Sequence, residues 1–247
     1  MKPPIVILRP EPGANVSLQG AMALGLDAWC FPMFITLPRA WEAPSADTFD
    51  ALLLGSANAL RYGGAELAGY GDKPAYCVGE TTARGAAARG IKIADTGSGG
   101  LQDMLNRMAG GRLRLLRLAG EERVTLTPPP GITIEERVVY ASMPVPMPVE
   151  LARLLSTAAL PRIIVLLHSG AAARHLIEEC RRLGLSRGKI EAITIGPRIS
   201  EICVQAGGWG NVLTSPAPGD AAMLALARQT CQTESDIAGG IAGGLAG

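Results

Sequence analysis

The chain lacks the constellations from which many active sites are recognised. Its 247 residues include two histidines, His168 and His175, and neither has a cysteine or carboxylate neighbour at metal-ligand spacing, which argues against a metal centre. No GxSxG elbow, Walker loop or GxGxxG fingerprint follows the first strand, so a covalent nucleophile or a nucleotide cofactor is without support. Aromatic residues make up 4% of the chain, too few for base-stacking platforms. The net charge of +1 gives no electrostatic reason to bind nucleic acid or a membrane surface. No apolar run is long enough to span a bilayer, and the opening MKPPIVILRP enters a strand without a signal-peptide core. The five cysteines are scattered, odd in number and free of CxxC spacing; most sit in apolar segments, as small buried hydrophobes in a reducing compartment do. These absences predict a cytoplasmic protein with no nucleic-acid or membrane partner.

What the chain does have is self-similarity. With 48% hydrophobic and 18% charged residues it is globular, and long enough for one large domain or two small ones. Ala75–Ala109 and Ala192–Ala227 both run apolar strand, Gly turn, short helix, Gly, β-branched strand, small-residue loop, amphipathic helix. Upstream, Leu52–Leu60 (LLLGSANAL) echoes Val165–Ala173 (VLLHSGAAA), and Val6–Gly13 echoes Leu115–Glu122 more weakly. The spacing from Ser56 to Ser169 nearly equals that from Gly79 to Gly196, so the echoes stay close to register. Such repetition predicts two related lobes, with the function in the cleft between them.

Short, wholly apolar strands alternate with helices, the pattern of a parallel sheet covered on both faces. Strands are predicted at Ile5–Leu8, Asp27–Ile35, Ala51–Leu54, Ala75–Val78, Ile91–Ile93, Leu113–Leu118, Ile132–Tyr140, Ile163–Leu167, Glu191–Ile195 and Trp209–Leu213. The helices between them include Asn15–Leu24, Ala57–Leu67 and Ala171–Leu183, several stopped by glycine (Gly90, Gly184, Gly207). Phe34–Pro44 and Tyr140–Pro148 are proline-rich and should be extended, exposed crossings between lobes. Two crossings make one lobe an insertion: residues 1–36 with 144–232 form the parent, 37–143 the inserted lobe, and 233–247 a low-complexity tail whose IAGGIAGGLAG end should fray.

Candidate chemistry sits at helix starts. Ser56, Gly79, Ser169 and Gly196 each follow an apolar strand and precede a helix, at the sheet edge where ligands of α/β proteins bind. Backbone N–H groups and the helix dipole favour anions there. The simpler reading of each position is a helix cap or turn; the paired set argues for more. Arg9 and Arg117 stand out among the arginines because each follows a buried strand.

Taken in order, VILRPEPG, LLLGSANAL, CVGETTARGAAARG, LAGEER, the Val139–Tyr140 pair before a proline crossing, LLHSGAAA and AITIG…GGW…P…D resemble the uroporphyrinogen-III synthase family, up to about Cys231. The resemblance implies two similar parallel-sheet α/β lobes with flavodoxin-like layers, joined by a two-stranded connection. It implies cyclisation of hydroxymethylbilane, handed over by hydroxymethylbilane synthase, to uroporphyrinogen III with the terminal ring inverted. No cofactor and no metal is needed, and a monomer suffices. Carried over by position, Tyr140 would assist departure of the hydroxyl or orient a ring, with Thr82 as the second catalytic candidate. Arg9, Ser56, Asn58, Gly79, Ser169 and Gly196 would bind substrate. The second Gly turn departs from the family, with Pro197, Arg198 and Ile199 where threonines are usual; Ser200 is the nearest substitute. Two other readings share the repeat: a non-catalytic two-lobe binder of a small anion, and a duplicated regulatory domain acting through protein contacts.

Overall fold

The structure is a computed structural model that describes residues 2–242. The chain runs β1 (Ile5–Ile7), α1 (Gly13–Ala23), β2 (Ala28–Cys30), β3 (Phe34–Pro38), β4 (Ala51–Leu54), α2 (Ala57–Tyr62), β5 (Ala75–Val78), α3 (Glu80–Ala87), β6 (Ile93–Gly97), α4 (Leu101–Arg107), β7 (Leu113–Gly120) and β8 (Ile132–Pro144). It continues α5 (Val149–Ser156), β9 (Ile163–Leu167), α6 (Gly170–Arg182), β10 (Ile190–Thr194), α7 (Pro197–Ala206), β11 (Asn211–Thr214) and α8 (Asp220–Ala242). Two compact units result, one of Met1–Ile35 and Pro144–Gly247, the other of Thr36–Met143.

The first unit holds a sheet of order β11-β10-β9-β1-β2 with every pair parallel. Its central strands β1 and β9 are apolar and buried at every position because both faces are covered. Val6, Val165 and Leu167 face a core that includes Leu151 of α5 and Leu176 of α6, whereas Ile5, Ile7, Ile164 and Leu166 face Ala14 of α1 and Met223 of α8.

The second unit has the order β3-β8-β7-β4-β5-β6, parallel from β8 to β6. Leu52, Leu54, Leu116 and Leu118 pack with Leu60 of α2 and Ala83 of α3, while Ala51, Leu53 and Leu115 pack against Met104 and Leu105 of α4. The two sheets share a topology. Matching β4, β5, β6, β7 and β8 to β9, β10, β11, β1 and β2 reproduces the same neighbour order, and the first four of these matches are the ones the sequence echoes pair.

Several boundaries differ from the sequence reading for local reasons. Asp27–Ile35 is two strands, since Pro32 has no N–H for a ladder, and β2 and β3 belong to different sheets. Ala57–Leu67 stops after Tyr62, where Gly64 takes φ 72°, and a 3-10 turn over Ala65–Tyr70 follows. Strand β8 continues through Tyr140 to Pro144, so Tyr140 is internal to a strand. The proline stretches are not uniformly exposed, because Phe34 and Met147 are buried in the first unit's core. Helix α8 runs on to Ala242, into the segment expected to fray; residues 243–247 lie outside the described part.

Candidate functional site

In the second unit the direction of strand connection reverses between β4 and β7, and a cavity of about 250 Å³ opens at their carboxyl ends. Ser56 and Gly120 line it from the two strand ends, and Tyr140 lines it from β8. The β7–β8 register shifts between Ala119 and Gly120, so that Gly120 pairs with Tyr140 and Val139 is left over as a bulge. The shift lets Val139 stay in the core while the Tyr140 ring packs on Gly120 and beside Tyr62, 6.1 Å between ring centroids. Among the described residues the Tyr140 hydroxyl has no hydrogen-bond partner. Ser56 accepts from the N–H of Asn58 (3.2 Å) as the cap of α2, and Asn58 in turn accepts from Arg61.

The same cavity touches an arginine that is 3% exposed. Arg117 Nη1 donates to the Val124 carbonyl (2.9 Å) and pairs with Glu136; Arg123 Nε binds the other oxygen of Glu136 at 2.8 Å. Burial alone would raise the Glu136 pKa, but the hydrogen bonds from Arg123 and Arg117 outweigh it and hold this carboxyl below its ordinary range.

The corresponding edge of the first unit carries a polar network. Asp220 Oδ1, at the start of α8, accepts from Ser17 Oγ (2.7 Å), lies 2.7 Å from His168 Nε2 and 3.6 Å from Arg9 Nη1. Burial opposes the charge on Asp220, yet the bonds to His168 and Ser17 and the nearby Arg9 keep its pKa lowered. Arg9 also packs on Gly13, where an added Cβ would stand 2.4 Å from the guanidinium. Ser169 caps α6 by accepting from the N–H of Ala172 (3.1 Å). A cavity of about 720 Å³ is lined by Gly170, Arg174, Gly196, Arg198 and neighbours. Ser200 sits between Thr194 Oγ1 and Thr214 Oγ1, 2.6 Å from each, so its hydroxyl ties α7 to β10 and β11.

Ser56 and Tyr140 therefore share a cavity, and Gly196 lines another. Asn58, Gly79 and Thr82 line neither. Thr82 is 4% exposed, buried with Ala83 and Ala86 on α3. Gly79 takes φ 82° and gives its N–H to Gly97, so that amide is not free to hold an anion. Arg9 is tied to Asp220. The sequence reading missed Asp220, Ser17, Arg123 and Glu136; Asp220, directly after Gly219 and before an apolar periodic run, carried a helix-start signal. Among the described residues no group of three or more His, Cys, Asp or Glu side chains is arranged to hold a metal, and no helix is long and apolar enough to cross a membrane.

The fold is similar to that of uroporphyrinogen-III synthetase from Helicobacter pylori (17% identity, TM-score 0.64, covering 93% of this chain and 100% of that one). It is also similar to a mutant uroporphyrinogen III synthase from Thermus thermophilus (15% identity, TM-score 0.51, covering 94% and 99%). No curated protein matches the chain. The family model described as uroporphyrinogen-III synthase HemD matches residues 18–225, most of the chain and strands of both units, and the chain belongs to the uroporphyrinogen-III synthase family.

Proposed function

We propose that this protein closes the linear tetrapyrrole hydroxymethylbilane into uroporphyrinogen III. Family membership across residues 18–225 carries this reading. The substrate loses its terminal hydroxyl as water, leaving an azafulvene cation. The far ring attacks through its substituted carbon to give a spiro intermediate, which fragments and recloses with that ring inverted. Hydroxymethylbilane cyclises unaided to the wrong isomer, so the protein's work is to hold one folded arrangement and decide which carbon attacks.

The Tyr140 hydroxyl, uncommitted at the wall of the second unit's cavity, is suited to donate to the departing hydroxyl. Backbone N–H groups at the starts of α6 and α7 suit the substrate's carboxylates in the first unit, with Arg174 and Arg198 beside them. Arg9, held by Asp220, contributes by fixing the strand end next to Ser169. In this reading the protein works as a cytoplasmic monomer that receives its substrate from hydroxymethylbilane synthase.

The test is to generate hydroxymethylbilane in situ with the purified protein, oxidise the products and separate the isomers. Isomer III is expected in excess over the spontaneous background. Isomer I alone, from folded protein, overturns the assignment.

A further inference from the structure

Tyr140 is fixed at its backbone and loosely bounded at its ring. Its carbonyl accepts from the Glu121 N–H, and the Val139 carbonyl accepts from the Arg39 N–H, each at 2.9 Å. The ring lies against Gly120, which offers backbone and no side chain, and it borders the second unit's cavity. Two torsions, χ1 and χ2, decide where the phenol hydroxyl points, and the cavity gives the ring room to turn. An aromatic contact limits that turn. Tyr62, half-buried at the end of α2, has its ring centroid 6.1 Å from that of Tyr140, with the planes tilted by 37°. Aromatic rings attract at that separation. Among the described residues no hydrogen bond joins the two hydroxyls, so the contact is between rings. Tyr62 is itself anchored. The carbonyl of the next residue, Gly63, accepts from Trp41 Nε1 at 2.9 Å. Trp41 stacks on Tyr70 with 6.2 Å between centroids, and Tyr70 is 1% exposed in the second unit's core, its hydroxyl bonded to the Pro44 carbonyl. A line of contacts thus runs from the core through Trp41 and Gly63 to Tyr62 and Tyr140.

We infer that Tyr62 is a positioning residue for the reaction: its ring, seated by the Trp41–Gly63 bond, holds the Tyr140 phenol in the orientation from which it donates. The inference rests on the function proposed above and on the donor role given there to Tyr140. A proton donor displaced by an ångström loses much of its effect on the barrier, so the group that seats it acts on kcat. Tyr62 does not line the cavity, so its removal should leave substrate binding, and with it KM, little changed.

A double-mutant cycle tests this, with isomer III formed from hydroxymethylbilane generated in situ as the readout. Tyr62→Ala should lower kcat about fivefold with KM within about twofold of the unaltered protein. Tyr62→Phe, which keeps the ring and drops the hydroxyl, should restore kcat to within about twofold. In a Tyr140→Phe background the donor is already gone, so adding Tyr62→Ala should lower kcat by less than about twofold more. A purely structural role for Tyr62 makes the loss the same in both backgrounds, and that result overturns the inference. So does an unchanged kcat in Tyr62→Ala, or a loss in Tyr62→Phe as large as in Tyr62→Ala. Should Tyr62→Ala not fold, Tyr62→Leu, which removes the ring and keeps most of the volume, carries the same comparison. Full activity in Tyr140→Phe overturns the inference and leaves the proposed function standing, whereas absence of isomer III from the unaltered protein overturns the proposed function itself.

Discussion

The ring of Tyr140 lies against Gly120 so closely that a Cβ added there would stand 2.7 Å from the ring edge and 3.0 Å from the hydroxyl. Gly120 is thus present for space, and it sets where the phenol points. Gly120→Ala should push the ring from its seat and lower kcat about tenfold while secondary structure by circular dichroism is unchanged. Tyr140→Phe should lower kcat by a similar factor if proton donation is the role, with KM little altered. Full activity in both variants would make Tyr140 a packing residue.

Asp220 collects Ser17, His168 and Arg9 from three separate elements of the first unit. Ser17 is fully buried, and the His168 side chain is 9% exposed with Nδ1 unpartnered. Removing the carboxylate strands a buried hydroxyl and frees Arg9 from its counterion. Asp220→Ala should therefore cost about 2–4 kcal/mol, read from urea unfolding midpoints at unchanged m-value. A loss below half a kcal/mol, on the order of a surface substitution, would show the network to be ornamental.

The architecture was legible because its signals are local and repeated. Apolar strands such as Ile163–Leu167 and Leu52–Leu54 admit no solvent-facing position, and that fixed a two-sided sheet. Boundaries failed where one residue overrode a pattern, as Pro32 and Gly64 did. The site was less legible, because its polar partners are far apart in sequence: Ser17 meets Asp220, and Arg117 meets Glu136 through strand register. The burial of Thr82 was not legible, since a Gly-x-x-Thr turn does not say which side of the helix is covered. The bulge at Val139, which aims Tyr140, leaves no mark in composition.

Ser56 and Ser169 serve as caps in the structure, and the same positions are proposed to lie near bound carboxylates. Aspartate separates the two roles, since it caps as well as serine but repels an anion. Ser169→Ala should cost about 1 kcal/mol of stability, roughly 2–4 °C in Tm for a protein of this size. Ser169→Asp should retain the Tm and raise KM about fivefold. A KM unchanged by Ser169→Asp would remove this helix start from the binding surface.

Glu179 offers a test of stability against pH. Its side chain is 7% exposed and takes two hydrogen bonds of 2.6 Å from Arg182 and one of 2.7 Å from the Met147 backbone N–H, tying α6 to the segment before α5. The Arg182 hydrogen bonds are the main reason the carboxyl is held down at about 2 from an ordinary 4.5; burial opposes them and the Met147 bond assists. A pKa depressed in the folded state contributes stability that is complete above the unfolded value. The contribution therefore stands in full above pH 4.5 and is lost as pH falls from 4.5 towards 2. Its size is at most about 3 kcal/mol, less what solvent screening of the half-exposed Arg182 removes. Glu179→Gln should lower stability at pH 7 by about 1–3 kcal/mol and flatten the acid limb of the stability curve. Parallel acid limbs for the two proteins, offset but equal in slope, would mean that other carboxylates drive the acid transition.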